Sequence, residues 1–214
     1  MLPTGEPKFK RRKADRPEEI VAAALEVFTD KGFAAARLDD IAAGAGVSKG
    51  AIYLYFATKE DIFRAVVEQN VAPNLDLVRQ AVASHQGSFP ALLRGLIGGL
   101  SHVVDESPAG AIVKIVIGEA RNFPELARVW HDRLVAPALA AMSGAIAAAQ
   151  ARGELRAGDS RQYAVSLVAP LLMGVLWRET FTPIGAEPFD IPALAEQHVE
   201  LWLRGVLAEP EAVR

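Results

Sequence analysis

The chain has 214 residues, 51% of them hydrophobic, with a formal net charge of −3 and no cysteine. That is apolar material for a packed core, and the missing thiols exclude a disulfide framework, thiolate metal sites and cysteine catalysis. The basic amino terminus lacks the apolar run of a secretory leader, and the longest apolar stretch, 165–177, is too short to span a bilayer, so a cytoplasmic protein that avoids membranes is expected.

The charge is unevenly spread. Residues 1–64 carry 11 basic and 10 acidic side chains, the remainder 12 and 16, and the first 16 residues alone hold six basic groups, Lys8, Lys10, Arg11, Arg12, Lys13 and Arg16. A basic arm over 1–15 on an acidic body suits local contact with phosphate without indiscriminate binding.

Taken in order, nearly every segment reads as helix. Pro17, Glu18 and Glu19 open the first, Ile20, Ala24, Val27 and Phe28 form its apolar stripe, and Gly32 ends it. A short second helix spans 39–45, and Gly46 turns the chain. Ser48 caps a third, which Phe56 closes. Thr58 with Asp61 starts a fourth that carries Ile62, Phe63, Val66 and Val67 and continues, kinked at Pro73, toward His85. Ser88 precedes a fifth with Phe89, Leu92, Leu93, Leu96, Ile97 and Leu100 on one face. The sixth covers 109–121 and the seventh 124–152, where Gly153 stops it. Asp159 begins the eighth, bent at Pro170 and running to Phe181, and Asp190 caps the ninth, which ends near Leu207. The expected fold is all-α, with nine helices in two domains, 16–63 and 64–214.

The stretch from Leu38 to Phe63, LDDIAAGAGVSKGAIYLYFATKEDIF, carries the chemistry. Two short helices crossing closely need a small residue and a glycine turn, which Ala42 and Gly46 supply, while Ile41, Val47 and Ile52 fix the angle. This is a helix-turn-helix pattern, whose second helix enters the major groove. SKGAIYLYFATKEDIF, the first helix and the Gly32-Phe33 pair closely resemble the TetR/AcrR family of transcriptional regulators over about 16–67. The rest of the chain matches in helix number and length.

The resemblance implies a ligand-responsive DNA-binding regulator. It would be a repressor that binds a palindromic operator as a homodimer and is released by a small hydrophobic effector, without cofactor, metal or catalysis. Carried over by position, Lys49 would contact phosphate or a guanine edge, and Gly50 and Ala51 would let the backbone approach the groove. Tyr53 and Tyr55 would reach phosphate oxygens, and Lys59 would meet a phosphate beside the fourth helix. Where the family has Thr or Ser at the start of the second helix, this chain has Ala36 and Arg37. The hydroxyl cap is lost, and Arg37 would restore the phosphate contact. Effector-facing candidates are Leu96, Leu100, Ile112, Ile115, Trp130, Leu134, Met173 and Trp177. Gly95, Gly98 and Gly99 in one helix suggest close packing or room for a bound molecule. The last two helices would pair with a second copy through Leu167, Leu171, Val175, Leu194, Leu201 and Trp202.

The four histidines, His85, His102, His131 and His198, lie far apart, and no nucleophile, phosphate loop or metal spacing appears, so an enzyme is not expected. The alternative is a helical small-molecule-binding or protein-interaction module that does not act on DNA.

Overall fold

The computed structural model describes residues 16–208, so the basic arm expected over 1–15 lies outside the described residues. Among the described residues there are eleven α-helical segments and, in place of strands, one isolated bridge between Leu155 and Leu207. The chain divides into two compact units, Met1–Val66 and Val67–Arg214.

The first unit holds α1 (Arg16–Ala35), α2 (Leu38–Gly44), α3 (Lys49–Ile52) and most of α4 (Lys59–Asn70). In α1, Gly32 has φ 75° and ψ 163°, so the helix breaks there and one further turn delivers Phe33 to the core. The rings of Phe28, Phe33 and Phe63 meet at centroid distances of 5.2–6.1 Å, surrounded by buried Ile20, Ala24, Ile41, Ile52, Ile62 and Val66. Burying this set removes the apolar faces of four helices from water together. Of these, α2, α3 and α4 are too short to be stable alone.

The second unit runs through α5 (Ala72–Ser84), α6 (Phe89–Glu106), α7 (Ala109–Glu119), α8 (Pro124–Trp130), α9 (Ala136–Ala151), α10 (Ser160–Thr180) and α11 (Ile191–Val206). The fourth of the nine expected helices is α4 and α5 in succession. The break falls at Val71 (φ −123°), two residues before Pro73, because Pro73 cannot donate to a preceding carbonyl and sits in the first turn of a new helix, where no donor is needed. The seventh is α8 and α9 joined by a π-turn, His131–Val135. With those two interruptions the nine-helix, all-α reading holds.

Caps follow the sequence in most places. Asp159 accepts from the Arg161 and Gln162 amides, and Asp190 from the Ala193 amide. Ser88 is an exception. Its side chain makes no cap bond, and the Phe89 amide donates instead to Glu154 Oε2 at 2.6 Å. Partial burial pushes the Glu154 carboxyl up, but the Phe89 amide and the Arg152 guanidinium outweigh it, and the net shift is below the usual value of 4.5.

The core of this unit gathers Phe89, Leu93, Ile146, Ala149, Ala164, Leu167, Ala195, Val199, Trp202 and Leu203. Two helical runs, Pro124–Ala151 and Ser160–Ile184, are long and apolar enough to cross a membrane by length and composition. The 13-residue limit taken from the sequence is therefore too short, because the helix continues past 165–177 on both sides. Only 11% and 22% of the two apolar windows are buried in their own chain.

Candidate nucleic-acid interface

The helix-turn-helix is built by α2, its turn and α3. At the end of α2, Gly46 (φ 64°) donates to Ala43 O and Val47 to Ala42 O, a double bond pattern that reverses the chain and needs a left-handed residue. Gly44 makes the close approach: a Cβ there would lie 3.2 Å from Ala23 Cβ of α1. Ser48 Oγ then accepts the Ala51 amide at 3.2 Å and starts α3. The α-helix proper covers four residues, and the following turn keeps helical bonding, with Tyr55 and Phe56 both donating to Ile52 O at 2.9 and 3.0 Å. The reading segment is one α-turn and a tighter one, shorter than the uniform helix expected over 48–56.

Ile52 is fully buried and Phe56 half-buried, so this line of the segment anchors it. Lys49, Gly50, Tyr53, Leu54 and Tyr55 are exposed and Ala51 is partly covered. A Cβ on Gly50 would meet only Ser48 Oγ, at 3.9 Å, so that stretch of backbone is open to approach. Lys49 Nζ lies 3.0 Å from Asp39 Oδ2, and the hydrogen bond from this carboxylate raises the lysine above its usual 10.5. Lys49 is thus firmly cationic, with an acidic partner that a phosphate would have to displace.

Arg37 stands at the start of α2 with its side chain exposed and its amide donating to Asp40 Oδ2 at 3.3 Å. Asp40 at the third helical position supplies one half of a capping box by accepting the Arg37 amide, and the hydrogen bond from Lys31 leads in holding its carboxyl below 3.8. Thr58 and Asp61 complete the other expected cap reciprocally, the Asp61 amide donating to Thr58 Oγ1 and the Thr58 amide to Asp61 Oδ2, both at 3.1 Å.

Lys59 has a different task from the one expected of it. Its ammonium donates to Phe33 O (2.6 Å), Ala36 O (3.0 Å) and Ala34 O (3.3 Å), and lies 4.4 Å from the centre of the Phe33 ring. Three donors meet three carbonyls at the end of α1, where the helix dipole favours a cation, so the charge is spent inside the domain. Leu54 was not singled out by sequence, although its spacing four residues after Gly50 put it on the line opposite Ile52.

The eight effector candidates do not converge. Leu96 lines a cavity of about 350 Å³ with Ala81, Ser84, His85, Gln86, Ala91, Leu92 and Gly95. A second cavity of about 520 Å³ shares His85, Gln86 and Leu92 and adds Val82, Phe89 and the Ala140–Ala148 face of α9. Leu100, Ile112, Ile115, Trp130, Leu134, Met173 and Trp177 line neither. Ile112 and Ile115 are buried in packing, and Met173 is 51% exposed. Trp177 donates to Glu187 O at 2.9 Å and packs on Phe181 and Phe189. The glycine cluster is the better guide. Among the described residues, a Cβ at Gly95, Gly98 or Gly99 would meet nothing within 4 Å, which favours open space over close packing there.

The expected partner-facing set divides by its burial within one protomer. Leu167, Val175 and Trp202 are buried in their own protomer, Trp202 Nε1 donating to Ser166 Oγ at 3.0 Å. Leu171 and Leu194 are half-buried, and Leu201 is 58% exposed. The uncovered apolar line of α10 is instead Val165, Val168, Ala169, Leu172 and Met173. Each residue turns a helix by about 100°, so a shift of one or two positions moves a side chain from the core face to the open one.

Residues 20–66 match the family described as bacterial regulatory proteins, tetR family, and residues 83–190 match the tetracyclin repressor-like C-terminal domain. The HTH-type transcriptional repressor BepR of Brucella suis is 29% identical over 173 residues, covering 79% of this chain and 82% of that protein. The crystal structure of a TetR-family regulator from Mesorhizobium loti superposes with a TM-score of 0.74 at 24% identity, over 93% of this chain and all of that one. SmeT, the repressor of the Stenotrophomonas maltophilia efflux pump SmeDEF, matches in its complex with triclosan with a TM-score of 0.76 at 22% identity, over 93% and 97% of the two chains.

Proposed function

Since the chain belongs to the TetR family and is a ligand-responsive DNA-binding transcriptional repressor, we propose that it grips its operator as a homodimer through the exposed face of the 49–55 segment. The observation that carries this reading is the sidedness of that segment: Ile52 has no exposed surface, while Lys49, Gly50, Tyr53 and Tyr55 all face outward. Lys49 and Arg37 supply charge for phosphate, the two tyrosines supply hydroxyls, and Gly50 and Ala51 let the backbone lie close to base edges. Lys59 is left out of the set because its donors are committed to α1.

Pairing uses the exposed line of α10 with Leu201 of α11, which presents two half-site readers together. The effector enters the space beside α6, where Leu92, His85 and Gln86 border two adjoining clefts, one lined by Ala81, Gly95 and Leu96 and the other by Val82, Phe89 and the small residues of α9. An apolar molecule with a polar group near His85 and Gln86 suits that lining. SmeT is known with triclosan bound. The signal reaches α4 through Arg133 of the π-turn, whose guanidinium lies 3.1 Å from Glu68 in the last turn of α4, while Lys59 ties the first turn of α4 to α1.

Fluorescence anisotropy with the gene's own upstream DNA tests the core of this proposal. Binding should weaken steeply with salt, and Lys49→Ala should lower the slope by about 2 for the two lysines of a dimer. A salt-independent interaction, or a slope unchanged in the variant, would sink it. Titrating effector into free and operator-bound protein should give different affinities, since linkage makes the coupling reciprocal.

A further inference from the structure

The geometry points to Leu54 as the residue that reads the operator base, through the methyl group of a thymine. This rests on the DNA-binding reading above and names what that surface selects.

Leu54 is 77% exposed, between Tyr53 at 54% and Tyr55 at 37%. The segment stays wound but tightens through this point, with the Leu54 amide donating to Ala51 O at 3.3 Å and the Tyr55 amide to Ile52 O, each three residues back. With Ile52 buried, the side turned away from it carries Gly50 and Leu54. Gly50 contributes no side chain to it, and among the described residues only Ser48 Oγ would lie within 4 Å of a Cβ placed there. Leu54 is therefore the bulk on the outward ridge.

A branched alkyl group has neither donor nor acceptor. It cannot hold a phosphate or a base nitrogen, and can gain only by covering apolar surface. Among the base edges of a DNA major groove, the apolar group on offer is the 5-methyl of thymine. The flanking tyrosines carry hydroxyls suited to phosphate oxygens, which would set the depth at which Leu54 meets the groove floor. The division of labour is then polar contacts for position and Leu54 for identity.

The test is a cycle of two small deletions. A duplex is selected from a random pool by the full-length protein, and each thymine is replaced singly by deoxyuridine, which removes only the methyl. Anisotropy should show one position per half-site where the wild type loses about fourfold in affinity, where Leu54→Ala loses nothing further, and where Leu54→Met keeps most of the loss. Putting 5-methylcytosine in place of cytosine at that position should recover part of the affinity for the wild type alone. Equal sensitivity of wild type and Leu54→Ala at every thymine, or uniform weakening of all duplexes by Leu54→Ala, overturns the inference while leaving DNA binding intact. Enrichment of no duplex overturns the DNA-binding reading and this one together. Leu54 lies outside the core, so matched unfolding temperatures of the variants confirm that the comparison is between folded proteins.

Discussion

Lys59 places its charge against the carbonyls of Phe33, Ala34 and Ala36, at and just past the end of α1, and over the face of Phe33, so one ammonium donates to three acceptors. Lys59→Met keeps the stem and removes the donors, and should cost about 1–3 kcal/mol in urea unfolding. Its effect on the salt slope of DNA binding should be nil, whereas a phosphate-binding lysine would show the reverse pattern. Lys49 shows the opposite economy: it is exposed and held by Asp39, also exposed. Asp39→Asn removes the competitor and a negative charge from the reading face, so operator affinity measured at low salt should rise several-fold, with the gain shrinking as salt increases. The sequence identified both lysines as cations near the helix-turn-helix. It could not separate them, because the carbonyls that claim Lys59 come from residues 23 to 26 positions earlier.

At the scale of elements, the start of α6 depends on a side chain from far along the chain. After α9 ends, Gly153 (φ 75°) turns back, and Glu154 reaches the Phe89 amide at 2.6 Å. The Glu154 carboxyl titrates below its unfolded value of 4.5, so its stabilising contribution is present above that pH and is lost as pH falls through the lower folded value. Glu154→Gln should therefore lower stability by about 1–2 kcal/mol at pH 7, and the gap between wild type and variant should close in denaturation series taken below about pH 4. Farther along α6, Gly95→Ala meets no neighbour and should stabilise the free protein by about 0.5–1 kcal/mol through helix propensity alone. Thermal melts with and without effector would then separate propensity from occupancy. Most helix ends were legible because Ser48, Thr58, Asp159 and Asp190 act on their own next turn. Glu154 was not, since it caps a helix 65 residues away.

At the scale of the whole molecule, one stretch of uncovered apolar surface bears on pairing. Val165, Val168, Leu172 and Met173 are exposed on α10, in a helical run that is apolar enough to enter a membrane yet little buried in its own chain, and Leu201 is exposed on α11. In the proposed pairing a second copy would remove these faces from water and hold two reading segments on one duplex, raising affinity through effective concentration. Val168→Glu combined with Leu201→Glu should give monomers in sedimentation at micromolar concentration, with normal unfolding temperature and a large loss of operator affinity. Leu167→Glu, two helical positions from Val165, should instead unfold the domain, because Leu167 is 1% exposed. A dimer that survives the double substitution would place the interface elsewhere.

By itself the sequence determined the class of fold, the order and caps of the helices, the helix-turn-helix and its family resemblance. These depend on periodicity, local hydrogen bonds and short-range turns, which residues a few positions apart settle between themselves. Only the tertiary structure decided which face of each helix is covered. That choice moved Leu167, Val175 and Trp202 into the core, Met173 and Trp177 away from the cavities, Lys59 onto α1 and Leu54 into the open. In an alanine-rich helix with apolar residues on several sides, the core face is chosen by what packs against it, and that partner is distant in the chain.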